Sequence, residues 1–268
     1  MENLISKIFT IPDRLINFFL RRWIGKFIRN NHSFGWLQAI VYSGAIDEWQ
    51  RHFTVTEKVR RYGKLIKHIL DVGGASGTIL EFLNPSKYKI TIVDTNDKSL
   101  TKIKDKRIQK IKGNGCDLPF EDNSFDVVIS VDTLEHVPDF EKKKFCSELK
   151  RVTRKNVIIH CPVDSSDGKF QGTNYDKEFL GWYRKVFRKD EKNTLEHLSS
   201  GLPKVEDLSS LFPGALIVGK QNGDVWLKYM KQEMIPYVRL ATGLFYKLFL
   251  SKKDDLPPYH ACLMIWEK

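Results

Sequence analysis

The sequence predicts a doubly wound α/β domain built on a seven-stranded, mostly parallel sheet, and three observations carry that prediction. Short apolar runs alternate with helical stretches from Thr54 to Cys161, as strands and crossover helices do. Runs such as VVIS and VIIH are almost unbroken in apolar residues, the mark of strands covered on both faces. A glycine-rich turn, Gly73–Gly77, joins one strand to the next helix, a place where open α/β sheets receive ligands.

Residues 1–53 form a leader rich in large apolar and basic residues. Thr10 and Asp13 fit a weak capping box, and Ile16, Phe19, Leu20, Trp23 and Phe27 recur at helical spacing. Arg21, Arg22, Lys26 and Arg29 lie off that stripe. Such a helix either caps the core or lies in a lipid interface. Residues 54–268 form the main domain. A helix over 54–64 precedes the strand LIKHILDV, a helix near Thr78–Leu83 follows the glycine turn, and Lys89–Asp94 is the second strand. A helix near Asp97–Lys104, strands near Arg107–Lys112 and Phe125–Val131, a helix at Asp139–Thr153 and a strand at Asn156–Cys161 come next. Helical insertions occupy about 165–210 and 224–256, with Pro236 as a kink in the second. Strands at Ala215–Gly219 and His260–Glu267 complete the sheet.

The chain has 268 residues, is 41% hydrophobic and 29% charged, and carries a net charge of +11. That composition excludes a mostly disordered or collagen-like protein, and the charge favours anionic partners. No stretch reaches the roughly 18 apolar residues that a spanning helix needs, and the apolar runs at the start are broken by Lys7, Pro12, Asp13 and Arg14. The four cysteines form no CxxC, so neither a zinc site nor a disulfide framework is indicated and no metal is expected. A reducing, cytoplasmic location is the simplest expectation.

The turn reads Asp71-Val72-Gly73-Gly74-Ala75-Ser76-Gly77. It lacks the Gly-Lys-Ser/Thr ending of a phosphate loop. A dinucleotide fingerprint needs glycines at the first, third and sixth positions, and counting from Gly73 places Ala75 and Thr78 at the last two. Asp71 beside the turn repels a pyrophosphate and attracts an ammonium or sulfonium, which suits a ligand bearing an amino acid.

With Asp94 closing the next strand 21 residues after Gly73, and with the stretch GNGCDLPFEDNSFDVVISVDTLEHV beyond it, the chain resembles the class I S-adenosylmethionine-dependent methyltransferases of the type 11 kind. The resemblance covers Ile69–Pro138, about a quarter of the chain, and implies a Rossmann-like fold with S-adenosyl-L-methionine as cofactor. It implies that Asp94, with Thr95 beside it, holds the ribose hydroxyls, since a carboxylate's two oxygens suit a diol. By the same resemblance Asp71, Gly73, Gly74, Ala75 and Gly77 cradle the amino-acid end. Asn114, Gly115 and Cys116 meet the adenine, and Asp132 lies near the methionine end. Two departures stand out. Ala75 replaces the middle glycine, and Asn114 stands where many relatives carry an Asp.

Methyl transfer depends above all on alignment, and a base is needed only where the acceptor must lose a proton. His136 is the candidate catalytic residue, since imidazole titrates near neutrality. Glu135, His160, Asp164 and the pair Glu196-His197 are further candidates, whereas His32, His52, His68 and His260 carry no special signal. The expected acceptor is a small molecule, a glycan or a lipid-linked compound. Trp226, Tyr229, Tyr237, Phe245, Tyr246 and Phe249 alternate with Lys228, Lys231, Arg239 and Lys247, which fits peripheral contact with anionic lipid on the inner face of a membrane. The competing arrangement has these residues closing over the pocket. An RNA methyltransferase is the alternative that the charge permits, though no appended RNA-binding motif is present. A non-catalytic protein of the same fold is the third.

Overall fold

Seven strands pair in one sheet among the described residues, in the spatial order Gln109–Lys112, Lys89–Asp94, His68–Val72, Phe125–Val131, Thr153–Pro162, Tyr259–Glu267 and Leu216–Asn222. The computed structural model describes residues 42, 45–75, 77–235 and 238–268. The strands are β1 (His68–Val72), β2 (Lys89–Asp94), β3 (Gln109–Lys112), β4 (Phe125–Val131), β5 (Thr153–Pro162), β6 (Leu216–Asn222) and β7 (Tyr259–Glu267). β1 to β5 run parallel, and β7 lies antiparallel between β5 and β6. Every residue of β4 is buried, the polar Asp126 and Ser130 along with its five apolar residues. β3, at the edge, is largely exposed.

Helices cover both faces. On one side α3 (Asp139–Val152) buries Phe145, Cys146, Leu149 and Val152, a helical spacing that makes one apolar stripe. Val55 and Val59 of α1 (Ile46–Arg61) pack with Ile69, Ile92 and Ile129 on the other side. A third cluster lies over the end of the sheet. It joins Ile46 and Trp49 of α1, Phe179 of α4 (Gly172–Phe187), and Trp226 and Tyr229 of α7 (Gly223–Glu233). The remaining helices are the short α2 (Asp97–Leu100), α5 (Lys192–Ser200), α6 (Val205–Leu211) and α8 (Val238–Phe245).

Several expectations need correction. α1 starts at Ile46 and runs through the proposed boundary at residue 53, so its first turns belong to the same helix that covers the sheet. After the glycine turn there is only a 3₁₀ turn, Thr78–Glu81. Asn84-Pro85 follows closely, and the residue before a proline is steered out of helix. The helix expected over 97–104 stops at Leu100. Trp226, Tyr229 and Tyr246 are buried in the third cluster and are therefore unavailable to lipid. Phe249 stays 64% exposed. The leader stripe at 16–27, its capping box, Ser76, Pro236 and Tyr237 lie outside the described residues. No helix among the described residues is long and apolar enough to cross a membrane.

Candidate active site

The strand order reverses between β1 and β4, and ligands of open α/β sheets bind beyond the strand ends at such a switch point. Asp71 near the end of β1, Asp94 at the end of β2 and Asp132 just after β4 all reach this region. Two cavities open there, sharing Gly73, Asp132 and His136.

The first cavity, of about 370 Å³, lies between Asp94, Thr95, Asn114, Gly115 and Phe145. Asp94 accepts the Ala75 N–H on Oδ2 at 2.8 Å and the Asn96 N–H on Oδ1 at 2.7 Å. It thereby ties the glycine turn to the end of β2, while Asn96 caps α2. The turn approaches its surroundings closely. A Cβ on Gly73, whose φ is +80°, would sit 2.1 Å from Thr133 Oγ1, and one on Gly74 would sit 2.4 Å from Asp71 Oδ2. Gly77 is also left-handed, at φ +80°. Ala75 adopts φ +43°, a region costly for a side chain with a Cβ, so the departure at this position carries strain. Asp71 is buried, and burial together with the nearby Asp94 raises its carboxyl to about 7.

At the Asn114–Cys116 turn the arrangement differs from expectation in one respect. The Cys116 N–H donates to Asn114 Oδ1 at 2.9 Å, so it is committed within the turn rather than offered to a base. Gly115 packs against the ring of Phe145, and a Cβ there would sit 2.4 Å from it.

The second cavity, of about 380 Å³, has a polar wall and an apolar one. Phe179, Trp226, Met230 and Met234 make the apolar side. On the polar side, Arg51 donates to Asp132 Oδ2, and His160 Nδ1 lies 2.9 Å from Asp132 Oδ1. Burial works against charge on Asp132, but Arg51 and His160 outweigh it and hold the carboxyl far below its usual range. The Asp132 backbone is left-handed, with φ +45°. His136 stands at the junction of the two cavities, 3.5 Å from Glu196 Oε2 and edge-on to His197. Burial and His197 lower its pKa, so its imidazole is neutral at pH 7. His197 Nδ1–H donates to Asp176 Oδ2 at 3.1 Å. Burial opposes charge on His197, yet the Asp176 bond raises its pKa.

The predicted residues Asp71, Gly73, Gly74, Ala75, Asp94, Thr95, Asn114, Gly115, Cys116, Asp132 and His136 all line one cavity or the other. Gly77 shapes the turn from behind, against Ile103. Asp164 does not join them. Its carboxylate accepts the N–H and hydroxyl of Thr173 at the start of α4 and so serves the fold. Arg51, His52, Asp176 and His260 were missed, although they line the second cavity. Asp47, Glu48, Arg51 and His52 form one polar face on an otherwise apolar helix start, and that clustering was the available signal. His260, stacked 3.8 Å from Trp226 and bonded to Asp176, carried none.

A family model described as a methyltransferase domain matches residues 70–161. The demethylmenaquinone methyltransferases of Bacillus pumilus and Bacillus mycoides are 30% and 31% identical to the chain over 116 residues. Each match covers 41% of this chain and 48% of the relative, so the chain spans about half the length of the curated relatives it matches. Among solved structures, the YcgJ protein of Bacillus subtilis aligns with 81% of this chain and 98% of its own, at TM-score 0.52 and 17% identity. A phosphoethanolamine N-methyltransferase 2 of Haemonchus contortus aligns with 81% of this chain and 52% of its own, at TM-score 0.53 and 18% identity. These two likenesses concern the fold. The matched methyltransferase domain spans β1 to β5, the part of the sheet whose strand ends carry Asp71, Asp94 and Asp132.

Proposed function

We propose that the protein transfers a methyl group from S-adenosyl-L-methionine to a small-molecule acceptor. The observation that carries this reading is the cavity of about 370 Å³ bounded by Asp94, Gly73 and the Asn114–Cys116 turn, within the roughly 300–1,000 Å³ typical of ligand sites, with Asp71, Gly74 and Ala75 at the adjoining end of the second cavity. The residues fit the cofactor. Gly73 and Gly74 lack the Cβ atoms that would crowd Thr133 and Asp71, leaving the backbone open to close approach. Asp71, raised to about 7 by burial and Asp94, gains a favourable partner in an ammonium group. In this assignment Asp94 holds the ribose diol, Asp71 and the turn hold the amino-acid end, and the Asn114–Cys116 turn lies on the adenine.

When bound, S-adenosylmethionine supplies an electrophilic methyl on a sulfonium. The protein's part is alignment, which can supply roughly 7–11 kcal/mol of such a barrier. The second cavity orients the acceptor. Its apolar wall of Phe179, Trp226, Met230 and Met234 excludes water and takes an apolar body. The opposite wall presents His136 and His197, through which proton removal from an acceptor hydroxyl is organised, and such assistance contributes about 10²–10⁴-fold. Arg51 and His160 fix the Asp132 carboxylate between the two cavities. The names of the matched relatives support an acceptor of small-molecule size.

The test is transfer of isotope-labelled methyl from S-adenosylmethionine to a panel of amphipathic hydroxylated compounds, read by counting and mass spectrometry. Label in an acceptor, with one equivalent of S-adenosylhomocysteine formed, is the expected result. Failure of S-adenosylhomocysteine to bind at all would overturn the reading.

A further inference from the structure

Glu135 is an anomalous side chain among the described residues. It is fully buried in the 3₁₀ turn Leu134–His136, and neither carboxylate oxygen meets a donor from another described residue. Burying a carboxyl without a partner is costly, and nothing in the methyl-transfer reading uses it. Its surroundings explain what it faces. A ligand atom each from Glu135, His136 and His197 all lie within 4.8 Å of one another, and Glu135 Oε1 is 4.0 Å from His197 Nε2.

We propose that Glu135, His136 and His197 bind a divalent first-row transition-metal ion. Two imidazole nitrogens and one carboxylate oxygen suit that class of ion, whereas calcium and magnesium prefer oxygen donors throughout. Ligands about 2.1 Å from a common ion stand roughly 3–4 Å apart, so side-chain rotations of about 1 Å close the triangle. The supporting groups are already in place. His197 donates its Nδ1–H in a hydrogen bond to Asp176, which leaves Nε2, 4.0 Å from Glu135 Oε1, as the nitrogen for an ion to take, the arrangement that orients metal-binding histidines. Asp176 is itself held by His260 Nε2 at 3.0 Å, and His260 is stacked on Trp226. Glu196 Oε2, 3.5 Å from His136 Nδ1, stands beside the triangle as a charge partner for that imidazole.

Charge agrees with this assignment. The carboxyl groups of Asp132, Asp176 and Glu196 stand around the triangle, with Asp132 paired to Arg51. The two histidines also line the second cavity; with the ion bound they serve as its ligands in place of taking the acceptor's proton, and positions left open on the ion face the space assigned to the acceptor. An oxygen donor on that molecule is the group that would fill them. This last step rests on the methyl-transfer reading; the binding of the ion does not.

The experiment uses the whole chain, stripped with a chelator and dialysed, then titrated with Zn²⁺ by calorimetry and with Co²⁺ by visible absorption. One ion per chain and a Co²⁺ ligand-field band are expected. Glu135→Gln, which keeps the shape of the side chain, and His197→Ala should each weaken binding at least tenfold. Circular dichroism and a melting curve check the fold of each variant. Absence of binding beyond that of a denatured control, or wild-type affinity in a folded Glu135→Gln, overturns the proposal. Titration with S-adenosylhomocysteine in parallel separates the two readings. Cofactor binding without metal binding removes only the ion, and metal binding without cofactor binding removes only the methyl-transfer assignment.

Discussion

Arg51 and Asp132, 81 residues apart in sequence, form an ion pair that joins the first described helix to the loop after the central strand. His160, from β5, holds the other oxygen of the same carboxylate. One side chain thus fixes α1, β4 and β5 relative to each other at the point where the two cavities meet. The side chains are 27% and 17% exposed, so the pair stands between the weak surface kind and the fully buried kind. Arg51→Met should lower stability by on the order of 1–3 kcal/mol in urea unfolding. A double-mutant cycle with Asp132→Asn should show coupling; additive losses would deny that the two act as a unit.

Asp71 gives the clearest pH dependence. Its folded value of about 7 lies above the 3.8 of an unperturbed Asp, so the folded state retains a proton that the unfolded chain releases. Its contribution is present below the unfolded value and is lost as pH rises through about 7. Asp71→Asn should therefore match the wild type near pH 4 and exceed it in stability near pH 8, by on the order of 1–3 kcal/mol. Parallel urea midpoints across that range would contradict the assignment. Because a bound ammonium favours the charged carboxylate, wild-type affinity for S-adenosylhomocysteine should rise as pH increases from 6 to 8, with proton release on binding. Asp71→Asn should lose that dependence.

Ala75 carries its strain in the backbone. The left-handed conformation costs a residue with a Cβ roughly 1–2 kcal/mol, offset in part by the greater chain entropy of glycine when unfolded. Ala75→Gly should raise stability by about 0.5–1 kcal/mol, read as a higher melting temperature. A lower one would show that the turn needs the Cβ.

Gly74→Ala should act in the opposite direction. Its new Cβ would meet Asp71 Oδ2 at 2.4 Å and Ile92 Cγ2 at 2.7 Å, with no flexible chain end able to yield cheaply. Overpacking of this kind costs about 1–3 kcal/mol, and the displaced turn should weaken S-adenosylhomocysteine binding at least tenfold. Calorimetry showing unchanged affinity would mean that the turn is not part of the site.

Most of the sheet was legible because its central strands are buried on both faces, and nearly continuous apolar runs such as VVIS and VIIH have few other uses. The acidic residues at the strand ends were legible for a related reason, since a carboxylate closing such a run needs a partner. The helix after the glycine turn was not, because tertiary burial of Ile79, Phe82 and Leu83 produces the same apolar pattern as a longer helix. Arg51, Asp176 and His260 escaped because their meaning lies in a contact across more than 80 residues. The aromatic residues of α7 looked like a lipid-facing surface, yet period and composition do not say which way a helix turns. Packing against α1 and α4 placed Trp226 and Tyr229 inside.

In the proposed function the Asp94 carboxylate, at the end of β2, holds the ribose. Calorimetric titration of S-adenosylhomocysteine into the wild type and into Asp94→Ala tests it most directly, with a melting curve to show that the variant is folded. One ligand per wild-type chain and at least tenfold weaker binding by the variant is the predicted result. Equal affinity in the two proteins, or none in either, would contradict it.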